Sequence, residues 1–159
     1  MTEHADFTTS FVVDQTPAQA FSAINDPRAW WSPRIDGDTD RLGAEFHYDN
    51  SPVHEATMRI VELVPDEKVV WLCVDNTFDF IEDRTEWIGT TLHFEISREG
   101  ARTRVRFTHA GLVPDYECYD ACSNAWSGYV GESLRSLITT GTGNPNNAVR
   151  DAEALSHQR

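Results

Sequence analysis

The side chains best suited to acid–base chemistry are a histidine, His109, and two acidic residues, Glu82 and Glu86. His109 shares strand parity with Val105 and Phe107, so it is predicted to face the inside of the protein. There it could donate a hydrogen bond or act as a general base, and either glutamate could act as acid or base. Because no orienting carboxylate can be identified for His109, a structural histidine held by backbone at the strand's end is favoured.

Three further histidines, His47, His54 and His93, alternate with apolar neighbours and are predicted to be mostly exposed. The chain has no His-Glu-x-x-His motif or other compact ligand set, so a metal site is poorly supported. No cofactor is expected.

The three cysteines are more typical of packing than of chemistry. Cys118 and Cys122 lie four residues apart on one predicted helical face, and Cys73 lies in an apolar strand. Nucleophilic catalysis would need a base and an oxyanion site beside a cysteine, and neither can be located. The number of cysteines is odd and their spacing matches no metal-binding or disulfide motif, which fits a protein of a reducing compartment.

A set of inward-facing side chains, mostly aromatic, forms the candidate binding site. If the predicted register is right, they point into the space beneath the sheet, where they either fill a core or line a pocket. The candidate ligand-binding residues are Phe46, Tyr48, Trp71, Trp87, Phe94, Phe107, His109, Trp126 and Val130.

The elements that must position these residues are strands followed by one long helix. Period-2 alternation predicts strands at 6–13, 44–48, 53–64, 69–74, 87–96 and 102–109. A capping threonine, Thr16, with proline next and glutamine three residues later predicts a short helix, and a second brief helix carries Trp30 and Trp31. We interpret 35–43 as a surface loop and 75–86 as an acidic flap.

Between residues 115 and 140, apolar side chains recur in steps of three and four, which predicts a long amphipathic helix covering the sheet. The stripe consists of Tyr119, Cys122, Trp126, Val130, Leu134 and Leu137. The order of elements predicts an α+β fold with a six-stranded antiparallel sheet.

Length and charge limit the classes of partner. A chain of 159 residues fits one domain, predicted at 1–141 with a polar tail at 142–159. A formal charge of −13 disfavours nucleic acid and anionic membranes as partners. No apolar run is long enough to span a bilayer and the N-terminus is acidic, so we expect a cytoplasmic protein.

Several short motifs, in this order, resemble the START-like (SRPBCC) superfamily, and most closely the branch of homologues of the heat-shock-protein-90 ATPase activator. The resemblance covers about residues 6–141. It rests on Thr16-Pro17, Ala20-Phe21, Ile24, Pro27, Trp30-Trp31, Gly43-x-Glu45-Phe46, Ile60-Val-Glu62-Leu-Val-Pro65, Val69-Val-Trp71, Gly89-Thr90, Phe94, Thr103-x-Val105-x-Phe107-Thr108-His109-x-Gly111-Leu112, Trp126, Leu134 and Leu137.

The resemblance implies a helix-grip fold, in which the sheet wraps around the C-terminal helix and encloses an apolar cavity. Relatives with this fold include carriers, receptors, cyclases and chaperone regulators, so the fold does not choose among activities.

Three hypotheses follow. The leading hypothesis is a binding module for a small hydrophobic molecule. The second is a cavity enzyme of the cyclase or hydrolase type, using His109 or a flap carboxylate. The third is a chaperone ATPase regulator acting through its outer surface, although no docking motif is visible. An exposed edge strand also allows a homodimer.

Overall fold

The N-terminal segment forms one strand and two short helices, as predicted. The computed structural model describes residues 6–50, 54–79, 82, 86–114 and 116–145. Strand β1 spans Phe7–Val13, helix α1 Pro17–Ile24 and helix α2 Pro27–Trp30. The capping box is present: Gln19 N donates to Thr16 Oγ1 at 3.2 Å, and Thr16 N donates to the Gln19 side chain at 2.8 Å.

The remaining strands form hairpins that build one antiparallel sheet. They are β2 Ile35–Gly37, β3 Glu45–Asn50, β4 His54–Val64, β5 Lys68–Phe78, β6 Thr91–Glu99 and β7 Arg102–Ala110. Within the described residues the strand order is β1-β7-β6-β5-β4-β3-β2. From β2 to β7, each strand pairs with the next one along the chain. Strand β1 pairs with β7, so β1 and β2 are the edge strands.

The prediction of six strands was wrong by one, because β2 falls in the segment interpreted as a loop. Three residues are too few to show the alternation that identifies a strand. The edge is instead secured by tertiary contacts, since the Arg28 guanidinium donates to the carbonyl oxygens of Ile35 at 2.8 Å and Gly37 at 2.6 Å. Gly37 has φ +108°, and a Cβ there would lie 2.4 Å from Glu45 O, so this pairing requires glycine.

Strand β5 also runs further than predicted. It continues to Phe78, which pairs with His54 at the start of β4, so the first four residues of the predicted flap belong to the sheet. Residues 86–89 then form a turn tied to β5 by a hydrogen bond from Gly89 N to Cys73 O of 2.9 Å. Most of 80–85 lies outside the described residues.

The C-terminal helix extends over 119–140 and contains a π-helical segment at its centre. Helix α3 spans Tyr119–Gly128, the π-helical segment Tyr129–Leu134, and helix α4 Arg135–Thr140. The apolar side chains that it buries are spaced four apart: Cys122, Trp126, Val130, Leu134 and Ile138. In an α-helix, residues four apart are offset by roughly 40° around the helix axis, so a row of them turns gradually away from the sheet. The wider turn of the π-helical segment reduces this offset.

The core lies between the helices and one face of the sheet. Helix α1 packs on β5, β6 and β7, while the C-terminal helix contacts β1, α1 and α2. Residues 142–145 remain attached, because Asn144 N donates to Ser133 Oγ at 2.7 Å and that hydroxyl donates to Trp30 O at 2.7 Å. The rest of the predicted tail lies outside the described residues. Across the described chain, no helix is both long and apolar enough to cross a bilayer.

Candidate functional site

A partly open pocket of about 190 Å³ lies between helix α3 and the end of the sheet formed by β3, β4 and β5. Strands supply its floor, the 86–89 turn and the residue after α2 supply its sides, and α3 with the start of the π-helical segment supplies its cover. It is lined by Trp31, Tyr48, Asn50, His54, Phe78, Trp87, Ala121, Cys122, Ala125, Trp126 and Tyr129. We refer to this space as the pocket.

Three stacked ring pairs build the pocket walls. Trp31 and Tyr48 stack with centroids 4.3 Å apart at 19°. His54 stacks on Phe78 at 4.3 Å and 26°, and Trp87 on Trp126 at 5.6 Å and 18°. In each pair the two rings lie nearly parallel, so the pocket walls are flat aromatic surfaces.

The polar end of the pocket is at the β3–β4 hairpin. His54 is 9% exposed, and its Nε2 lies 2.7 Å from Asn76 Oδ1. Burial lowers the pKa of His54 to about 4, partly offset by the hydrogen bond to Asn76, so the ring is neutral at pH 7 with its proton on Nε2. Nδ1 is then a hydrogen-bond acceptor, and it has no partner among the described residues. Asn50, the cross-strand neighbour of His54, also lines the pocket.

His109 lies behind the wall and is fully buried. Trp126 Nε1 donates to its Nδ1 at 3.1 Å, its Nε2 lies 2.8 Å from Thr90 Oγ1, and Thr90 Oγ1 donates to Trp87 O at 2.6 Å. Burial, together with repulsion from His54 and His93, lowers the pKa of His109 to about 3. The neutral ring therefore donates from Nε2 and accepts at Nδ1. It is satisfied by side chains, not by the backbone as expected, and no lone pair is left for a general base.

Glu86 and the cysteines also have structural partners. Both carboxylate oxygens of Glu86 accept backbone hydrogen bonds before α3, from Glu117 N at 2.8 Å and Cys118 N at 3.1 Å. The pKa of the Cys118 thiol is raised, first by its hydrogen bond with Cys122 and then by burial. Burial also raises the pKa of the Cys73 thiol to about 12. Thiols held protonated in this way are poor nucleophiles.

The structure divides the predicted ligand-binding residues into two groups. Tyr48, Trp87 and Trp126 line the pocket. The others pack outside its lining: Phe46, Trp71, Phe94, Phe107, His109 and Val130 are each at most 1% exposed. A ligand-binding role for any of the nine stays a prediction.

Sequence reasoning missed much of the pocket lining, and the prediction for His54 was wrong. His54 shares parity with Ala56, Met58 and Ile60, which are all buried, so the alternation along β4 already contained the signal. No comparable signal exists for Trp31, which follows α2 in an irregular segment and reaches the pocket only through tertiary packing. Among the described residues no group of three or more histidine, cysteine or acidic side chains is placed to hold a metal ion.

An antiparallel sheet packed against one long C-terminal helix, with a pocket at one end of their interface, defines a START-like (SRPBCC) domain. The family model "Activator of Hsp90 ATPase homolog 1-like protein" matches residues 14–139, and the chain belongs to this family. No curated protein matches the chain.

Solved structures share the fold at low sequence identity. The Aha1 dimer from Colwellia psychrerythraea is 19% identical, with a TM-score of 0.70 over 87% of this chain and 99% of that one. Mll3558 from Rhizobium loti is 16% identical, with a TM-score of 0.63 over 86% and 97%. CalU16 from Micromonospora echinospora is 17% identical, with a TM-score of 0.62 over 91% and 71%.

Proposed function

We propose that this protein binds a small, uncharged and largely apolar molecule in the pocket. The observation that carries the proposal is a void of about 190 Å³ whose walls are stacked aromatic pairs. Aromatic side chains that filled a core would have closed this space. A rigid apolar void that is already formed binds a small apolar ligand at little ordering cost.

The size and charge of the pocket indicate the size and charge of its ligand. A dry protein cavity of about 150 Å³ holds benzene, so the pocket accommodates one aromatic ring with small substituents. Its lining residues, all within the described chain, include no lysine, arginine, aspartate or glutamate. An ionised ligand would lose its hydration without gaining a counter-charge, which favours a neutral one.

The experiment compares two phenylalanine substitutions on helix α3. Ala125 is an exposed residue that lines the pocket, so Ala125→Phe places a ring at the pocket opening, whereas Ser127→Phe adds the same ring at an exposed position outside the lining. Toluene is titrated into each variant, and fluorescence of the lining tryptophans reports binding. We expect toluene to bind wild type and Ser127→Phe, and to lose at least about tenfold in affinity for Ala125→Phe.

Native mass spectrometry of freshly purified protein would supply the natural ligand if one is retained. Two results would refute the proposal: no toluene binding to wild type, or equal affinity for wild type and Ala125→Phe. Circular dichroism of both variants confirms that the comparison is made on folded protein.

A second candidate, regulation of a chaperone ATPase, is favoured by membership in the family named for the activator of the Hsp90 ATPase. Such a regulator would act through the outer face of the sheet, where Arg104 pairs with Glu99 at 2.7 Å. Arg104→Glu would then abolish stimulation of ATP hydrolysis and leave toluene binding intact. A homodimer, which size-exclusion chromatography would detect, suits this candidate because β1 and β2 are free sheet edges in the described structure.

A further inference from the structure

The polar end of the pocket distinguishes it from a simple apolar void, and the inference drawn from it rests on the proposed function. Cross-strand neighbours on a sheet share a face, so Asn50 and His54 present their side chains to the same end of the pocket. The opposite end is formed by Trp31 and Trp126, whose centroids are 5.2 Å apart. A ligand lying along the pocket therefore meets aromatic surface at one end and polar atoms at the other.

Several contacts hold His54 in one orientation. Its Nε2 is 2.7 Å from Asn76 Oδ1, its ring stacks on Phe78, and the edge contact with Trp87 has centroids 4.6 Å apart at 88°. The bond to Asn76 uses the ring's N–H. The remaining nitrogen, Nδ1, can only accept, and no described residue donates to it.

The Nδ1 acceptor belongs to a residue that lines the pocket, and no described side chain donates to it, so a ligand with a hydroxyl group could supply the donor. We infer that the pocket selects a neutral single-ring aromatic molecule carrying a hydrogen-bond donor, a phenol being the simplest, with its hydroxyl donating to His54 Nδ1. The ring lies among the stacked tryptophans, and the Asn50 carboxamide accommodates a second polar substituent.

Selectivity for a donor follows from the same geometry. Without an acceptor in the pocket, phenol would bind worse than toluene, because its hydroxyl would lose hydrogen bonds to water. A site built to pair a ligand hydroxyl reverses this preference. Among charged molecules, a carboxylate meets no lysine or arginine among the described lining residues, and a quaternary ammonium ion would contact aromatic faces but leave Nδ1 unpaired.

The experiment measures phenol and toluene affinities by isothermal titration calorimetry for wild type, His54→Phe and His47→Phe. Phenylalanine at position 54 keeps the ring packing and removes the acceptor. His47 is the matched control, since it lies on the other face of the sheet, bonded to Thr57 and Glu55. We expect the ratio of phenol to toluene affinity to fall at least about tenfold in His54→Phe and to stay unchanged in His47→Phe.

A second measurement needs no substitution: the ¹⁵N resonance of His54 Nδ1 in labelled wild-type protein should move when phenol is added and not when toluene is added. If toluene binds but the affinity ratio and this resonance do not respond, donor selection is refuted while the proposed function stands. If neither molecule binds wild type, both fail. Tighter binding of benzoate or tetramethylammonium than of phenol would refute selection of a neutral donor.

Discussion

Two aromatic regions under the same sheet differ in how their rings pack. In the aromatic core, defined as Trp30, Phe46, Trp71, Phe94 and Phe107, the rings meet mostly edge to face, with Phe46–Trp71 at 81° and Trp71–Phe94 at 61° and centroids 5.0 and 4.8 Å apart. Around the pocket the rings form parallel pairs that stand nearly perpendicular to one another, such as Phe78–Trp87 at 90°. The core also contains one stacked pair, Trp30–Trp71 at 12°, so the regions differ in their share of stacked pairs and in the void of about 190 Å³ that lies among the pocket rings.

The two regions also treat polar atoms differently. His109, between the regions, has both ring nitrogens bonded by Trp126 and Thr90. His54, in the pocket wall, has one bonded nitrogen and one without a partner in the described chain. Burial is therefore common to both histidines, and the incomplete set of hydrogen bonds is what makes His54 the candidate for ligand binding.

The largest expected effect compares the same substitution in each region. Phe94 and Phe78 are 0% and 1% exposed, but Phe94 is enclosed by the rings of Trp30, Trp71 and Phe107, while Phe78 faces the pocket. Phe94→Ala should lower the free energy of unfolding by about 3–5 kcal/mol. Phe78→Ala should cost about 1–2 kcal/mol less, because the space it leaves joins a pocket that is already partly open, whereas the loss of Phe94 creates an enclosed cavity. Urea denaturation measures both.

Equal losses in these two variants would contradict the distinction between a filled core and an open pocket. Phe94→Leu is the control for side-chain volume, and it should recover a large part of the loss seen with alanine.

The next effect concerns pH. The pKa values of His54 and His109 are lowered from 6.5 to about 4 and about 3 by burial, so the unfolded chain binds more protons than the folded one between those values. The free energy of unfolding is therefore highest, as far as these two histidines are concerned, above about pH 6.5, where both states are unprotonated. It falls as the pH drops toward the folded-state pKa values, by up to about 1.4 kcal/mol per pH unit per histidine. Between about pH 6 and 4.5, His54→Phe should have a shallower slope by up to that amount.

Phe78→Leu is the matched control for the pH experiment, since it disturbs the same ring pair without removing a titrating group. Its unfolding free energy, followed by urea denaturation at each pH, should be lower at every pH with an unaltered slope. A wild-type slope in His54→Phe would mean that His54 is not buried as a neutral ring.

The smallest expected effect tests the link between the pocket's side and its helical cover. The Glu86 carboxylate accepts from two backbone N–H groups at the start of α3 and complements the positive end of the helix. Glu86→Ala should lower the free energy of unfolding by about 1 kcal/mol, like the loss of an N-cap. Glu99→Ala, which removes an exposed ion pair with Arg104, is the control and should cost less than about 0.5 kcal/mol. Thermal unfolding measures both losses, and a larger loss for Glu99→Ala than for Glu86→Ala would contradict the capping role of Glu86.

Much of the fold was predictable because alternation and capping are local. The capping box at Thr16, the hairpins and the inward faces of β6 and β7 all follow from side-chain period and turn chemistry. The missed strand β2 depends on Arg28 bonding its carbonyls from another element, and the extension of β5 to Phe78 depends on the length of its partner β4. Neither dependence is visible within the segment itself.

The candidate site was only partly predictable for the same reason. Side-chain periodicity identifies which side chains point inward: strand alternation predicted an inward Tyr48 and helical spacing an inward Trp126, and both are buried. Alternation applied to β4 would also have placed His54 inward. It cannot identify Trp31 as part of the pocket, because this residue lies outside regular structure and reaches the site through the turn after α2.

The sequence by itself determined the α+β class, the aromatic character of the interior and the family to which the chain belongs, because periodicity and residue type are properties of the chain alone. Only the tertiary structure decided which rings close on one another and which leave a void. That outcome depends on the distance and orientation of the C-terminal helix over the sheet. Both are set by contacts between elements far apart in sequence, including the capping of α3 by Glu86 and the hydrogen bond from Ser133 to Trp30.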